Sequence, residues 1–460
     1  MKFATECINS MINIHEVPAL DTANEAGRWH FIDQQVAKAQ DEITFKLEST
    51  DYIDLSSVQL YCLANVYPNL TEASTNTKDT QLSNNAPIGI VNNFLHSLWK
   101  TVSVTIGDLE IDNSSSLYSF KEYFLKILNS SPHEEHSVLG SSVFFKDDAG
   151  EFNNFKLVGE TEKVQKVKGE QENQAVEITT KEIVKTNSGF LKRRNLLISG
   201  NGKIEMMGHL QCDIFNVSKL LLPNTSLNIK LFRNEDKFCL LGDDASKYSI
   251  NIMDIKLRVR TQKLSAQVQN AHNALLLKNP AIYHMKSSLV KKFSVGTAGS
   301  NLKLEISKGK VPNVVIVALS NYGQSNSANK NPFNFQHFGV KEIEFRVGEY
   351  QIPYAYILKM NYANNQYLNA YTSLFDVVNK PDLGNNITRQ DYPNGYALYG
   401  FNLQSSINCV GDFAALAKEG PVTIEVTFAS KPTEDDLDLY CYLEYDKFLE
   451  INSSREATLS

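Results

Sequence analysis

Residues Asn331-Pro332-Phe333-Asn334-Phe335-Gln336-His337, followed by Val340-Lys341-Glu342-Ile343-Glu344-Phe345-Arg346-Val347-Gly348-Glu349-Tyr350-Gln351-Ile352, decide how this chain is read. An earlier stretch has the same plan: Asn93-Phe94-Leu95-His96, then Val102-Ser103-Val104-Thr105-Ile106-Gly107-Asp108-Leu109-Glu110-Ile111. His96 and His337, Gly107 and Gly348, and Ile111 and Ile352 are each separated by 241 positions, without a gap. In both copies an Asn-Phe-x-His turn runs into period-two apolar residues, a tight Gly-acid turn, and an Ile that begins the return. Alternation closed by a two-residue Gly turn is the pattern of a half-buried β-hairpin. A Tyr-containing helix is expected after each copy, over 117–128 and 367–378. The match predicts one β domain used twice in tandem. Asn93, Phe94, His96 and Gly107 mark the repeated turns in the first copy, and Asn334, Phe335, His337 and Gly348 in the second.

The bounds agree. At 460 residues the chain can hold two or three domains, each with its own core. Apolar residues at 42% and charged residues at 21% are ordinary for a globular protein, and abundant Asn, Ser, Tyr and Phe suit strands and long turns. A net charge of −7 argues against a dedicated nucleic-acid binder, so no sequence-specific nucleic acid is expected as a partner. No apolar run is long enough for a transmembrane helix. The start, Met1-Lys2-Phe3-Ala4-Thr5-Glu6, lacks the regions of a secretory signal, so the sequons at Asn69, Asn113, Asn129, Asn216, Asn224, Asn386 and Asn452 are expected to stay unmodified. Cys7, Cys62, Cys212, Cys239, Cys409 and Cys441 form no CxxC pair and read as free thiols.

Residues 1–40 read as an N-terminal arm. Residues 41–264 make the first domain, with a Lys-, Glu- and Gln-rich surface excursion over 147–187, and 265–460 the second. Strands are expected at 42–47, 55–66, 203–213, 226–232 and 249–259, then at 283–295, 302–307, 311–319, 396–403, 422–428 and 437–449. A helix over 265–278 marks the boundary, ended by Asn279-Pro280. The fold class is all-β: two tandem jelly-roll β-sandwiches, a double jelly roll with short helices in loops.

Several segments spread along the chain resemble the major capsid proteins of Polinton (Maverick) elements and adintovirus-like viruses, in the double jelly-roll capsid lineage. They are Asp51-Tyr52-Ile53-Asp54-Leu55, Val91-Asn92-Asn93-Phe94-Leu95-His96-Ser97-Leu98, Phe190-Leu191-Lys192-Arg193-Arg194, Lys330-Asn331-Pro332-Phe333-Asn334-Phe335, Asp391-Tyr392-Pro393-Asn394-Gly395-Tyr396-Ala397-Leu398-Tyr399, and Leu443-Glu444-Tyr445-Asp446 with Glu450-Ile451. The excursion at 147–187 departs from the family pattern. The resemblance implies homotrimers of pseudo-hexagonal outline that tile an icosahedral shell with neighbouring capsomers. It also implies a penton protein and minor capsid proteins as partners, and a virion capsid made and assembled inside a host cell.

Candidate chemistry is sparse, and neither an enzyme nor a cofactor is expected. His133-Glu134-Glu135-His136 lacks the i, i+4 spacing of a zinc helix and lies beside a turn, so no metal site is expected. Gly200-Asn201-Gly202-Lys203 is too short for a phosphate loop and reads as a hairpin turn. No nucleophile elbow is present, and Asp435-Asp436 sits in a loop. Lys192-Arg193-Arg194, opening a strand region, and Lys291-Lys292 are possible basic contact clusters toward a packaged genome or an acidic neighbour, or else solvated strand ends. Two functions stay open: a structural assembly subunit, or a tandem β-sandwich carbohydrate-binding protein or glycoside hydrolase.

Overall fold

Period-two patterning becomes strand wherever it occurs. Val422–Phe428 buries Val422, Ile424, Val426 and Phe428 and leaves the residues between them half-exposed, as a strand with one face on a core must. The computed structural model describes residues 21–35, 41–69, 82–84, 86–114, 116–156, 160–168, 175–183, 186–242, 244–295, 299–321, 323–324, 327–347, 350–351, 357–378, 385–404, 418–432 and 437–460.

The first half contains β1 (Asn24–Asp33), β2 (Glu42–Leu47), β3 (Tyr52–Pro68), β4 (Trp99–Ile106), β5 (Leu109–Asn113), β6 (Lys203–His209), β7 (Leu227–Arg233) and β8 (Tyr248–Leu264). They form two antiparallel sheets, ordered β1-β8-β3-β6 and β2-β7-β4-β5. The second half contains β9 (Ala281–Val295), β10 (Asn301–Ser307), β11 (Val314–Asn321), β12 (Val340–Val347), β13 (Tyr350–Gln351), β14 (Leu398–Asn402), β15 (Val422–Phe428) and β16 (Leu437–Ile451). Its sheets run β9-β16-β11-β14 and β10-β15-β12-β13, each with a fifth short strand, Ala457–Leu459 on β16 and Leu358–Lys359 on β12. Advancing every label of the first half by eight gives the second. The molecule is a double jelly roll.

The 241-residue spacing persists in detail. Trp99–Ile106, shifted by it, becomes Val340–Val347, and these are the bounds of β4 and β12. Register agrees as well: Val104 lies opposite Ile229 and Phe345 opposite Ile424. Gly107 adopts φ 56° in the β4–β5 turn, where a side chain would be strained; Gly348, Glu349 and Ile352 lie outside the described residues. The equivalence ends at the turns before the strands. Asn93 (φ 54°) enters a helical turn at Phe94–Ser97, whereas Phe335 is extended and bridges to Tyr396.

Three expectations need correction. Residues 1–40 are not all an arm, because Asn24–Asp33 is β1, paired with β8 from Asn24 opposite Leu264 to Asp33 opposite Lys256. Both faces of this edge strand are largely exposed, so no apolar alternation announces it. Residues 1–20 and 36–40 lie outside the described residues. Residues 147–187 are not wholly a surface excursion. Strands Glu160–Lys168 and Ala175–Ile183 pair with each other alone among the described strands, but Asp147, Phe152 and Asn187 at the root are buried. Finally, Lys192-Arg193-Arg194 opens no strand; it lies in a helix, Ser188–Ser199.

Candidate functional site

The densest chemistry lies in the seam between the two halves. Helix α1 (Tyr118–Asn129), in the connection between β5 and β6, presents Phe120, Tyr123 and Phe124. Against them the stretch before β12 inserts Phe333 and Phe335, two residues apart and both fully buried. Tyr123 stacks on Phe333 with ring centroids 4.1 Å apart, and Phe120 stacks on Tyr440 of β16 at 4.5 Å. Each such pair contributes about 0.5–1.5 kcal/mol beyond the area it buries. The organising stretch of the sequence is therefore a plug that joins the halves.

Beside the aromatic layer lies a buried polar hub centred on Asp147. Its Oδ1 accepts from Arg193 Nη2 at 2.6 Å and Asn187 Nδ2 at 2.8 Å, and its Oδ2 from Asn331 Nδ2 at 3.0 Å. The Tyr396 hydroxyl donates to the Asp147 carbonyl at 2.6 Å. Asn331 and Tyr396 belong to the second half, so Asp147 ties both halves together. Arg193 also donates through Nε to the Ile90 carbonyl (3.0 Å) and through Nη1 to that of Phe145 (2.6 Å). Helix Ser188–Ser199 aims Arg193 inward, and Asn187 caps it by accepting from the Phe190 N–H at 3.2 Å. A second link is ionic. Lys121 Nζ lies 2.7 Å from Asp213 and 3.6 Å from Asp112, and Asp213 accepts from the Ser288 N–H of β9 at 2.9 Å. Burial alone would depress Lys121, but the two carboxylates hold its pKa above the usual lysine value. Asp112 is pushed up to about 6, by burial first, against the pull of Lys121.

The expected basic clusters are structural. Arg193 is fully buried and Arg194 nearly so, its guanidinium donating to the carbonyls of Asn84 and Ala86. Lys192 alone reaches the surface, 3.1 Å from Glu135. Lys291 and Lys292 sit within β9, not at its end. Lys291 donates to the Ile306 carbonyl at 2.7 Å, and Lys292 pairs with Asp438 at 2.8 Å. A run of basic letters shows charge but not the carbonyls and acids that fold around it, so by itself it points to the surface.

The two equivalent histidines do different work. His96 is buried, its Nδ1 3.0 Å from the Tyr118 hydroxyl and its Nε2 3.4 Å from Glu122. Burial, with nearby Lys126 and His209, holds its pKa well below the usual value. His337 accepts from the Gly339 N–H at 2.9 Å and stacks on Tyr362 at 3.9 Å. His133–His136 forms a short turn in which Glu134 accepts from the Ser131 N–H at 3.1 Å. Gly200-Asn201-Gly202 links a helix to β6, and so is no hairpin. Asp435-Asp436 lies outside the described residues. Sequence reasoning missed Asp147, Asn187 and Asn331. The available signal lay at Asn331 alone, two residues ahead of Phe333 and four ahead of Phe335, two side chains that must be buried.

No family model matches the chain. An uncharacterized protein of Caenorhabditis elegans, F54H12.2, is 22% identical over 456 residues, covering 95% of this chain and 98% of the relative. Among solved structures, a chain of the Sputnik virophage is similar with a TM-score of 0.63 at 9% identity, covering 100% of this chain and 93% of that one. The mavirus major capsid protein is similar with a TM-score of 0.54 at 11% identity, covering 100% and 96%. At these identities the likeness is one of fold, and it runs the whole length of the chain.

Proposed function

We propose that this chain is a major capsid protein, a structural subunit that associates as a homotrimer of pseudo-hexagonal outline and tiles an icosahedral shell with neighbouring capsomers. One observation carries the reading: an eight-strand order used twice in one chain, in a fold shared end to end with a viral major capsid protein. Three chains of two like halves give six like edges, which suits a hexagonal position built from three copies. Residues 41–264, joined by β1 (Asn24–Asp33), and residues 265–460 are then its two modules. The segments that resemble Polinton and adintovirus-like capsid proteins, spread from Asp51 to Ile451, support placing the chain with those elements. On this reading the chain is no enzyme and takes no cofactor. It works in the virion capsid after assembly inside the host cell, beside a penton protein and minor capsid proteins.

The carbohydrate-binding or glycoside-hydrolase alternative gains nothing from the seam, whose acids Asp112, Asp147 and Asp213 are all paired inside the core. Analytical ultracentrifugation with electron microscopy of the purified chain tests the proposal. Trimers of hexagonal outline, burying more than roughly 2,000 Å² per contact, are expected. A monomer that binds glycans and never forms trimers overturns it.

A further inference from the structure

An amine and a carboxyl held in contact, out of reach of water, can do more than attract each other. Lys121 and Asp213 are so placed: their side chains are 2% and 3% exposed, and Nζ lies 2.7 Å from Oδ1. They are 92 positions apart, Lys121 within α1 and Asp213 opening the helical turn Asp213–Asn216. Ser288 of β9 engages both oxygens of the Asp213 carboxyl. Its N–H donates to Oδ2 and its hydroxyl to Oδ1, each at 2.9 Å. A third buried group, Asp112 of β5, accepts from the Asp213 N–H at 2.7 Å, and the same oxygen lies 3.6 Å from Nζ. Nucleophile, acyl carbon, donor to the carbonyl oxygen and proton carrier thus stand together in one dry site.

We propose that Lys121 and Asp213 join in an intramolecular isopeptide bond, formed by the chain itself once its two halves have met. Along the 2.7 Å hydrogen bond one proton passes from Nζ to Oδ1, which leaves a neutral amine beside a neutral acid. The Nζ lone pair attacks Cγ, and negative charge gathers on Oδ2, where the Ser288 N–H already donates. Asp112 takes a second proton from the nitrogen and passes it to Oδ1. The Cγ–Oδ1 bond breaks, and Oδ1 leaves as water with two protons that came from the ammonium; no other reactant is consumed. Burial pushes Asp112 up to about 6, within the range where a carboxyl takes and returns a proton near neutral pH. At rest the two carboxylates keep Lys121 an ammonium, so the bond grows slowly from the minor neutral pair. The product is favoured because an amide carries no charge to desolvate, whereas the ion pair carries two. Ser288 belongs to the second half, so the reaction waits for docking and then fixes α1, with Phe120 and Tyr123, in the seam. The chain thereby gains a cross-link that owes nothing to its buried free thiols Cys62, Cys212, Cys239 and Cys441. The bond would form in a lone chain, whether or not capsomers assemble.

Mass spectrometry of the full chain, kept folded at neutral pH and then denatured, reads the bond directly. A mass lower than that of the sequence by one water is expected, and digestion should release a branched peptide that links Lys121 to the Asp213 segment. Asp112→Asn keeps an oxygen for the Asp213 N–H but carries no proton, and should slow the loss of water roughly a hundred-fold or more. Lys121→Arg keeps the cation and should abolish the loss, with circular dichroism as the check that both variants fold. A wild-type chain of full mass overturns the proposal, as does a water lost while the peptides that hold Lys121 and Asp213 stay linear. If a variant fails to fold, the wild-type mass and its peptides still decide.

Discussion

Replacing Arg193 with Met tests whether the Lys192-Arg193-Arg194 run is architecture or a contact surface. The substitution keeps the length of the stem and removes three donors, those to Ile90, Phe145 and Asp147. Asp147 would remain buried with only the amides of Asn187 and Asn331 on its oxygens. Breaking a fully buried ion pair by removing one partner costs about 3–5 kcal/mol, most of it the desolvation of the charge left behind. Two carbonyls also lose their donors, at about 1 kcal/mol each if no water replaces the guanidinium. A loss of at least about 4 kcal/mol is therefore expected in urea denaturation. Asp147→Asn strands the buried guanidinium in its turn, so it should cost a comparable amount, about 3–5 kcal/mol. The double variant should fall short of the sum of the two, which marks a direct coupling. Lys192→Met, whose partner pair is half in solvent, should cost under about 1 kcal/mol. The reasoning is refuted if Arg193→Met costs less than about 1 kcal/mol, and doubly so if it abolishes assembly while leaving stability intact.

Further expectations come from other parts of the core. Burial, against the pull of Lys126, pushes the Glu122 carboxyl up to about 7. Its folded pKa is thus above its unfolded value, so its contribution is fully present below about pH 4.5 and is lost as pH rises through 7. The stability of wild type minus that of Glu122→Gln should therefore fall by on the order of 3 kcal/mol between about pH 5 and 8, and a flat difference curve would dispose of the argument. His209, held down to about 4 by burial, acts in the opposite sense; its share is complete above pH 6.5 and is lost as pH falls through 4. Replacing residues 157–185 with a short linker should leave the melting temperature unchanged, whereas deleting 147–187 removes the hub and should yield insoluble protein; equal outcomes would show that the root is dispensable. Gly395 has φ 105°, and a Cβ there would overlap the Phe152 ring and lie 2.9 Å from Asn334 Oδ1, so Gly395→Ala should cost about 1–3 kcal/mol, and calorimetry showing no change would contradict the tight seam.

Much of the fold can be read from the sequence because a jelly roll writes itself in local alternation. The patterning over 42–47 and 422–428 predicts strands with their observed bounds, since each buries every second residue against one sheet. The spacing of the two hairpins carries β4 onto β12 because sheet register tolerates no slip of one residue. The parts that cannot be read depend on contacts between distant segments. Arg193 and Asp147 look like surface charges until the halves meet. β1 looks like an arm because its backbone, not its side chains, holds it to β8. Asn93 and Asn334 share a motif, yet the first starts a helical turn and the second supports a plug, because Phe94 and Phe335 are packed by different neighbours. An apolar stripe predicts a helix over 265–278, and one forms at Ala266–Leu276, but only Leu276 in it is buried, so its position owes more to the junction it spans than to amphipathicity.

The pairing of β1 with β8 also fixes an order of events at the ribosome. The first strand leaves the exit tunnel early, yet its hydrogen-bonding partner ends at Leu264. At the usual elongation rate of about 5–20 residues per second, β1 waits roughly 10 to 50 seconds for a template. Contacts of such long sequence separation form late in any case, because the loop must close before they contribute. The sheet that carries Trp29 and Phe31 is thus completed only when the whole first half has been translated. A truncated chain that stops before residue 248 lacks β8 altogether and so cannot complete this sheet.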